Sequence, residues 1–194
     1  MVSYELALGL SLMVPVMIAG SLNLNDIVRA QAGGWFIFLQ PVAAILFFIG
    51  VLAELQRAPF DLLEAEQELS SGYNVEYAGM RFAMFFMAEY MNMIIFSAIW
   101  VTLFLGGYRF PFITDAAPLT GILVMVAKIA FSLFLMIWIR ASLPRLRYDQ
   151  LMSFGWKFML PVSVLNVIAT GVFIVLNEEG VFDGIYRYFG SLFG

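Results

Sequence analysis

Cysteine and histidine are both absent from the 194 residues. Iron–sulfur clusters, thiolate zinc sites, histidine-ligated haem and Cys or His catalysis therefore cannot be built from this chain's side chains. Disulfides are excluded as well, so cysteine usage says nothing of the redox compartment. Charge is scarce: 12% of residues, 14 acids against 10 bases, net −4. Such a balance argues against a nucleic-acid partner. What fills the chain instead is apolar, at 62%, well above the ~45–50% of soluble domains. The composition describes an all-α polytopic integral membrane protein, read as a single membrane domain over 1–194. No internal repeat, low-complexity tract or linker to a soluble domain is visible.

About five spans can be drawn, near 3–23, 35–57, 81–106, 118–140 and 158–177. Each approaches or exceeds the ~17–25 residues needed to cross ~30 Å of hydrocarbon. Barrel strands would be about half as long and would alternate, which these do not. Pro15 predicts a kink in the first helix. That helix opens almost at Met1 with no charged n-region or cleavage site, so it reads as a span rather than a cleaved signal peptide.

Lys and Arg set the orientation. The loops at 54–81 and 140–157 carry Arg57, Arg81, Arg140, Arg145, Arg147 and Lys157. The other side carries Arg29, Arg109 and Arg187. The excess places the first two loops on the cytoplasmic face, or the matrix face in a mitochondrion. The expected location is a bacterial plasma membrane or mitochondrial inner membrane, with lipid all round.

The segment from Glu54 to Glu68 concentrates the chain's scarce charge. It holds Glu54, Arg57, Asp61, Glu64, Glu66 and Glu68 between two greasy runs. Asp61, Glu64 and Glu68 have i, i+3, i+7 spacing and would share one face of a helix. Like charges so close repel, and favour sharing of protons. A wet acidic face is the ordinary alternative for such a run. Its neighbour, Arg57-Ala58-Pro59-Phe60, offers a fixed guanidinium, a rigid bend and an aromatic ring at the membrane mouth. That combination suits an amphiphilic ligand bearing polar oxygens on a flat ring.

Two charges lie inside spans. Glu89 is eight residues beyond Arg81, about 12 Å along a helix, and reads as close to the midplane. Lys128 reads as similarly deep. Each should face protein or water rather than lipid. A proton carrier and a structural ion pair are both open for each; for Glu89 a neutral, hydrogen-bonded acid is open too. Glu5 and Glu54 fall near helix ends. Singly they read as interfacial carboxylates; with Glu89 they would form a chain of acids entering the membrane.

The run Glu54-x-x-Arg57-Ala-Pro59-Phe60-Asp61-Leu-x-Glu64-Ala-Glu66-x-Glu68-Leu, then Gly72-Tyr73-Asn74-x-Glu76-Tyr77-x-Gly79-Met80-Arg81-Phe82-Ala83 and Ala88-Glu89-Tyr90, closely resembles one family. It is that of the H subunit (the mitochondrial ND-one type) of proton-pumping NADH:quinone oxidoreductase, respiratory complex I. Ser3-Tyr4-Glu5 at a helix start resembles it too. So does Arg140-Ala-Ser-Leu-Pro144-Arg145-Leu-Arg147-Tyr148-Asp149-Gln150-Leu with Gly155-Trp156-Lys157. Leu63 departs from the family's usual proline, which bears on loop stiffness more than on chemistry. The resemblance is to the C-terminal part of the subunit; its N-terminal part is an expected partner if the subunit is split.

The resemblance implies a translocase subunit that forms part of the quinone cavity and couples reduction of a quinone, ubiquinone for example, to proton translocation. It implies that Arg57, Phe60 and Asp61 line or support the cavity, and that Glu64, Glu66 and Glu68 form the coupling loop beside it. Glu5, Glu54 and Glu89 would be the proton relay. Glu76 and the basic loop Arg140–Lys157 would shape or dock the interface with peripheral redox subunits. FMN and iron–sulfur clusters would belong to those partners, with nothing bound covalently here and no metal site. Two other readings are the homologous membrane component of a membrane-bound hydrogenase and, from a different class, a free-standing ion channel or transporter.

Overall fold

The computed structural model describes residues 2–56, 59–60, 79–110, 118–144 and 146–178. Among them every regular element is helical. They are α1 (Val2–Ala19), α2 (Leu24–Ala30), a 3-10 turn (Gln31–Gly33), α3 (Phe36–Leu39), α4 (Pro41–Glu54), α5 (Met80–Phe104), α6 (Pro118–Ser142), α7 (Tyr148–Phe154) and α8 (Leu160–Glu178). A π-helical turn, Gly155–Met159, joins α7 directly to α8.

Three helical runs are long and apolar enough to cross a membrane: Met80–Phe104, Leu119–Ser142 and Tyr148–Asn177. A fourth is available if Tyr4–Ala19 and Leu24–Gly33, bent by 65°, count as one span. The chain is thus an all-α, multi-pass membrane protein, and five is an approximate count. Helices suit a bilayer because each backbone N–H and C=O is satisfied within its own segment.

Two spans differ in detail from the expectation set by the sequence. α1 runs through Pro15 without a break. The sharp bend comes later, where Gly20 takes φ +64° and Asn23 caps α2 by accepting from the Asn25 N–H at 3.2 Å. The second span is broken. Gln40 leaves the helical region at φ −132°, ψ 63°, because a residue before proline is pushed from it. Pro41 then starts α4 at a position where its missing N–H costs nothing. The segment read as a loop over 140–157 contains α7. Asp149 in the first turn of α7 favours its N-terminus, and Gln150 Oε1 accepts from the Arg147 N–H at 3.3 Å.

α1 is the hub and packs chiefly on α4 and α8. Gly50 permits close approach to α4, since a Cβ there would lie 3.1 Å from the Leu8 Cβ. Tyr4 lies beside Phe60 beyond the end of α4, and Ile18 beside Gln40 at its start, so α1 and α4 are antiparallel, with Glu5 level with the end of α4. Tyr4 meets Leu151, and Met17 meets Gly171, so α1 and α8 run parallel. α5 crosses α4 through Phe47–Phe104 at 5.8 Å and Phe48–Trp100 at 5.2 Å. The Trp100 indole donates to the Ala44 carbonyl at 3.2 Å. The outward faces of α5 and α6, Phe85, Met91, Phe131 and Phe134 among them, stay exposed and apolar, as lipid- or partner-facing surfaces should be.

Candidate functional site

The motif segment enters the fold at one end of the bundle. α4 ends at Glu54, and Gln56 turns the chain with a positive φ of 52°. A left-handed residue just past a helix C-terminus is usually glycine, which has no Cβ to clash. A non-glycine residue there carries strain, and strain of this kind gathers at functional turns.

Pro59 and Phe60 are then fixed from three directions. The Pro59 carbonyl accepts from the Leu146 N–H at 3.0 Å. The Phe60 ring, 7% exposed, lies 6.1 Å from Tyr4 and 6.5 Å from Phe154. Phe154 in turn stacks on Phe158 at 5.3 Å and 22° across the π-helical turn. The Tyr4 hydroxyl donates to the Leu151 carbonyl at 3.1 Å. Four aromatic rings and two long-range hydrogen bonds thereby tie the start of α1, Pro59–Phe60 beyond α4 and the α6–α8 connection into one block. The two motif segments, represented by Pro59–Phe60 and by Leu146 to Gly155, meet at this end.

Phe60 is therefore a wedge held inside that block. Arg57, Asp61, Glu64, Glu66, Glu68 and Glu76 lie outside the described residues. Glu5 is exposed beside buried Tyr4, and Glu54 is half-buried. Glu89 is half-buried on α5. Ser97 bonds the Met136 sulfur at 3.6 Å; counting from that contact along antiparallel α5 and α6 brings Glu89 level with the α6–α7 connection. It thus lies toward this end of the packed helices, because α5 projects past its neighbours. Glu5, Glu54, Phe60 and Glu89 share one end of the bundle.

A groove of about 330 Å³ opens beside them between α4, α5 and α6. Leu52, Leu55, Met93 and Met136 make it apolar, with Tyr90 and Arg140 as its polar groups. Its mostly apolar lining suits an apolar group.

Lys128 is at the opposite end. Its ammonium donates to the carbonyls of Leu105 at 2.6 Å, Gly107 at 3.0 Å and Arg109 at 2.6 Å. It also lies 5.0 Å from the Trp35 ring and 5.9 Å from Phe110. Gln31 completes this cap by donating to Thr102 and Leu103 at 3.0 and 3.1 Å. Gln31 thus serves two of the final carbonyls of α5, which lack intrahelical donors, and Lys128 serves the carbonyls of the turn that follows. Leu105 is about 24 Å along α5 from Glu89, so Lys128 and Glu89 do not form the direct ion pair considered from sequence.

Sequence reasoning gave no role to Tyr4, Gln56, Phe154 or Gln31. Tyr4 adjoins Glu5 in a quoted motif, and Phe154 and Phe158 have helical i, i+4 spacing; those were the available signals. Nothing in the sequence marks Gln56 as left-handed.

The family model described as NADH dehydrogenase matches residues 1–171. The chain is 52% identical over 179 residues to an NADH-quinone oxidoreductase H subunit of Geobacter sulfurreducens, covering 92% of this chain and 50% of that protein. It is 48% identical over 176 residues to the NADH-quinone oxidoreductase H subunit of Protochlamydia amoebophila, covering 91% and 52%. With the corresponding protein of Rhodospirillum rubrum it shares 51% over 179 residues, covering 90% and 52%. The chain spans about half the length of these curated relatives.

Proposed function

The chain belongs to the NADH dehydrogenase family, and from that premise we propose that it forms part of the H subunit of a proton-translocating NADH:quinone oxidoreductase in a bacterial plasma membrane. Its task there is to build one wall of the quinone cavity and to pass the charge change of quinone reduction into the membrane.

The observation that carries this reading is the pinning of Pro59–Phe60 by Tyr4, Leu146 and Phe154. A site must be held within a fraction of an ångström to orient a ligand, and this block fixes two of the three residues that separate Arg57 from Asp61 in the chain. Arg57 supplies a fixed cation able to orient Asp61 or a quinone oxygen. Phe60 supports the wall from behind. The groove between α4, α5 and α6 gives an apolar tail a place at the same end.

Reduction of the quinone takes two electrons and two protons. An iron–sulfur cluster on a partner subunit supplies the electrons, drawn from NADH through FMN on another partner. Negative charge developing on the quinone raises the proton affinity of nearby carboxylates. Asp61 and then Glu64, Glu66 and Glu68 feel that change first. Glu5, Glu54 and Glu89, at the same end of the bundle, carry it onward as proton movements.

Native mass spectrometry of the complex purified through this chain tests the reading. Subunits carrying FMN and iron–sulfur clusters are expected. A nickel-containing subunit in place of the flavin subunit would overturn it in favour of a hydrogenase.

A further inference from the structure

The end of the bundle away from Phe60 holds a second feature. The uncharged polar side chains of α8 are Ser163, Asn166, Thr170 and Asn177. Their spacing is i, i+3, i+7, i+14, so they form one stripe about 21 Å long. The stripe runs along the junction of α8 with α1 and α4. Ser163 and Thr170 are buried, and so is Ser11 on α1. The parallel register of α1 and α8 brings Ser11 level with Ser163–Asn166.

Among the described residues these groups do not hydrogen-bond across the junction as polar side chains in membrane bundles commonly do. Ser11 donates to Leu8 at 2.8 Å, Ser163 to Leu160 at 2.8 Å and Thr170 to Asn166 at 2.7 Å, each a carbonyl of its own helix. Their oxygens keep lone pairs for other donors. The Asn166 amide nitrogen is buried and meets no acceptor among the described residues.

Two further observations lie at the outer end of the same stripe. A cavity of about 280 Å³ is lined by Ile18, Gln40, Thr170, Phe173 and Asn177. At about 30 Å³ each, several waters fit. Gln40 is also the break between α3 and α4. Backbone interrupted at membrane depth is tolerated where it is buried in protein or lines a water-filled cavity, and here the break borders a cavity that sets the polar groups of Gln40, Thr170 and Asn177 among apolar Ile18, Leu39, Phe173 and Ile174.

We propose that the α1–α4–α8 seam is a water-filled crevice, open at the Gln40–Asn177 end and closing near Ser11. Water would give the Asn166 amide its acceptor and donate to the serine and threonine oxygens; the Gln40 backbone itself is paired with Phe36 and Ala44. Ser11 is six residues, about 9 Å, from Glu5 on the same helix. If the proposed function holds, the crevice brings the aqueous phase of the outer face close to the acids of the inner end; the hydration itself does not depend on that reading.

The chain has no cysteine, so single cysteines report cleanly. Asn177→Cys, Thr170→Cys and Gln40→Cys would be made in the assembled complex in sealed membrane vesicles. A charged, membrane-impermeant methanethiosulfonate would be added to the outer face. Only a thiolate reacts, and thiolates do not form in apolar surroundings. All three should react at least about tenfold faster than Ile168→Cys, which is 56% exposed on the outward, apolar side of α8. Thr170→Cys and Gln40→Cys both reacting no faster than Ile168→Cys would overturn the crevice. No turnover of NADH or quinone enters the measurement, so its failure would leave the proposed function standing.

Discussion

The Tyr4 hydroxyl reaches the Leu151 carbonyl at 3.1 Å across 147 positions of sequence, joining the start of α1 to the helix that leads into α8. The bond is buried, and the Tyr4 ring also bears on Phe60. One side chain therefore couples α1, the motif segment and the α7–α8 run.

Tyr4→Phe keeps the ring contacts and removes only the hydroxyl. Leu151 O still receives the Gly155 N–H, so the loss is that of one net hydrogen bond, about 0.5–1.5 kcal/mol. Thermal inactivation of the solubilised complex should occur a few degrees earlier with the initial quinone reductase rate nearly intact. Tyr4→Ala also removes the surface on which Phe60 rests and should cost about 3–5 kcal/mol, with loss of quinone reductase activity. Equal behaviour of the two variants would show that the ring contact with Phe60 does not matter.

Gln56 bears a conformational cost that glycine would not. Gln56→Gly should be neutral or stabilising, since the left-handed turn loses its Cβ clash. Gln56→Val should destabilise by about 1–2 kcal/mol. Melting temperatures of the two variants check this; a more stable valine variant would mean that the turn is not left-handed in the assembled protein.

Lys128→Met removes the donor to three carbonyls of the turn that follows α5. Each stranded carbonyl costs about 1–3 kcal/mol, so assembled complex should be nearly lost on native gels. Lys128→Arg keeps the charge, but its planar fork matches a three-carbonyl turn less well than a compact ammonium; partial assembly is expected. Normal assembly of Lys128→Met with lost proton pumping would instead assign Lys128 to proton transfer.

These predictions also mark what the sequence alone could reveal. The apolar composition and the length of the greasy runs gave the fold class, because a bilayer leaves helices few alternatives. The Arg57–Glu68 run stood out because charge beside a membrane is rare. Gln40-Pro41 is a readable break, since a residue before proline is pushed from the helical region, and the span drawn over 35–57 passes over it. Counting along its own helix places Lys128 in depth but says nothing of what the turn after α5 offers. The level of Glu89 in the bundle likewise depends on how far α5 projects past α4 and α6, a property of packing rather than of one helix.

Arg57→Ala should lower quinone reductase activity of the whole complex by about tenfold or more, the scale of one lost charged contact of about 1.5–3 kcal/mol. Electron transfer from NADH to an artificial acceptor enters before the quinone and should be unchanged. Equal loss of both activities would point to faulty assembly and remove support for a quinone-site role.

Glu89 offers the most direct test of coupling. It is half-buried, level with the α6–α7 connection and on the same end of the bundle as Phe60 and Glu54. Glu89→Gln keeps the shape and much of the hydrogen bonding but cannot ionise. A relay through Glu89 requires ionisation, so proton pumping in vesicles should fall sharply while native gels show full assembly. Quinone reductase activity should fall with it, since the two are coupled. Glu89→Asp retains the acid one methylene short, and should keep part of both activities. A purely structural role predicts another pattern: Gln would be tolerated or would reduce assembly, and Asp would be no better than Gln. A fully assembled Glu89→Gln complex that pumps at the normal rate would remove Glu89 from the proton path.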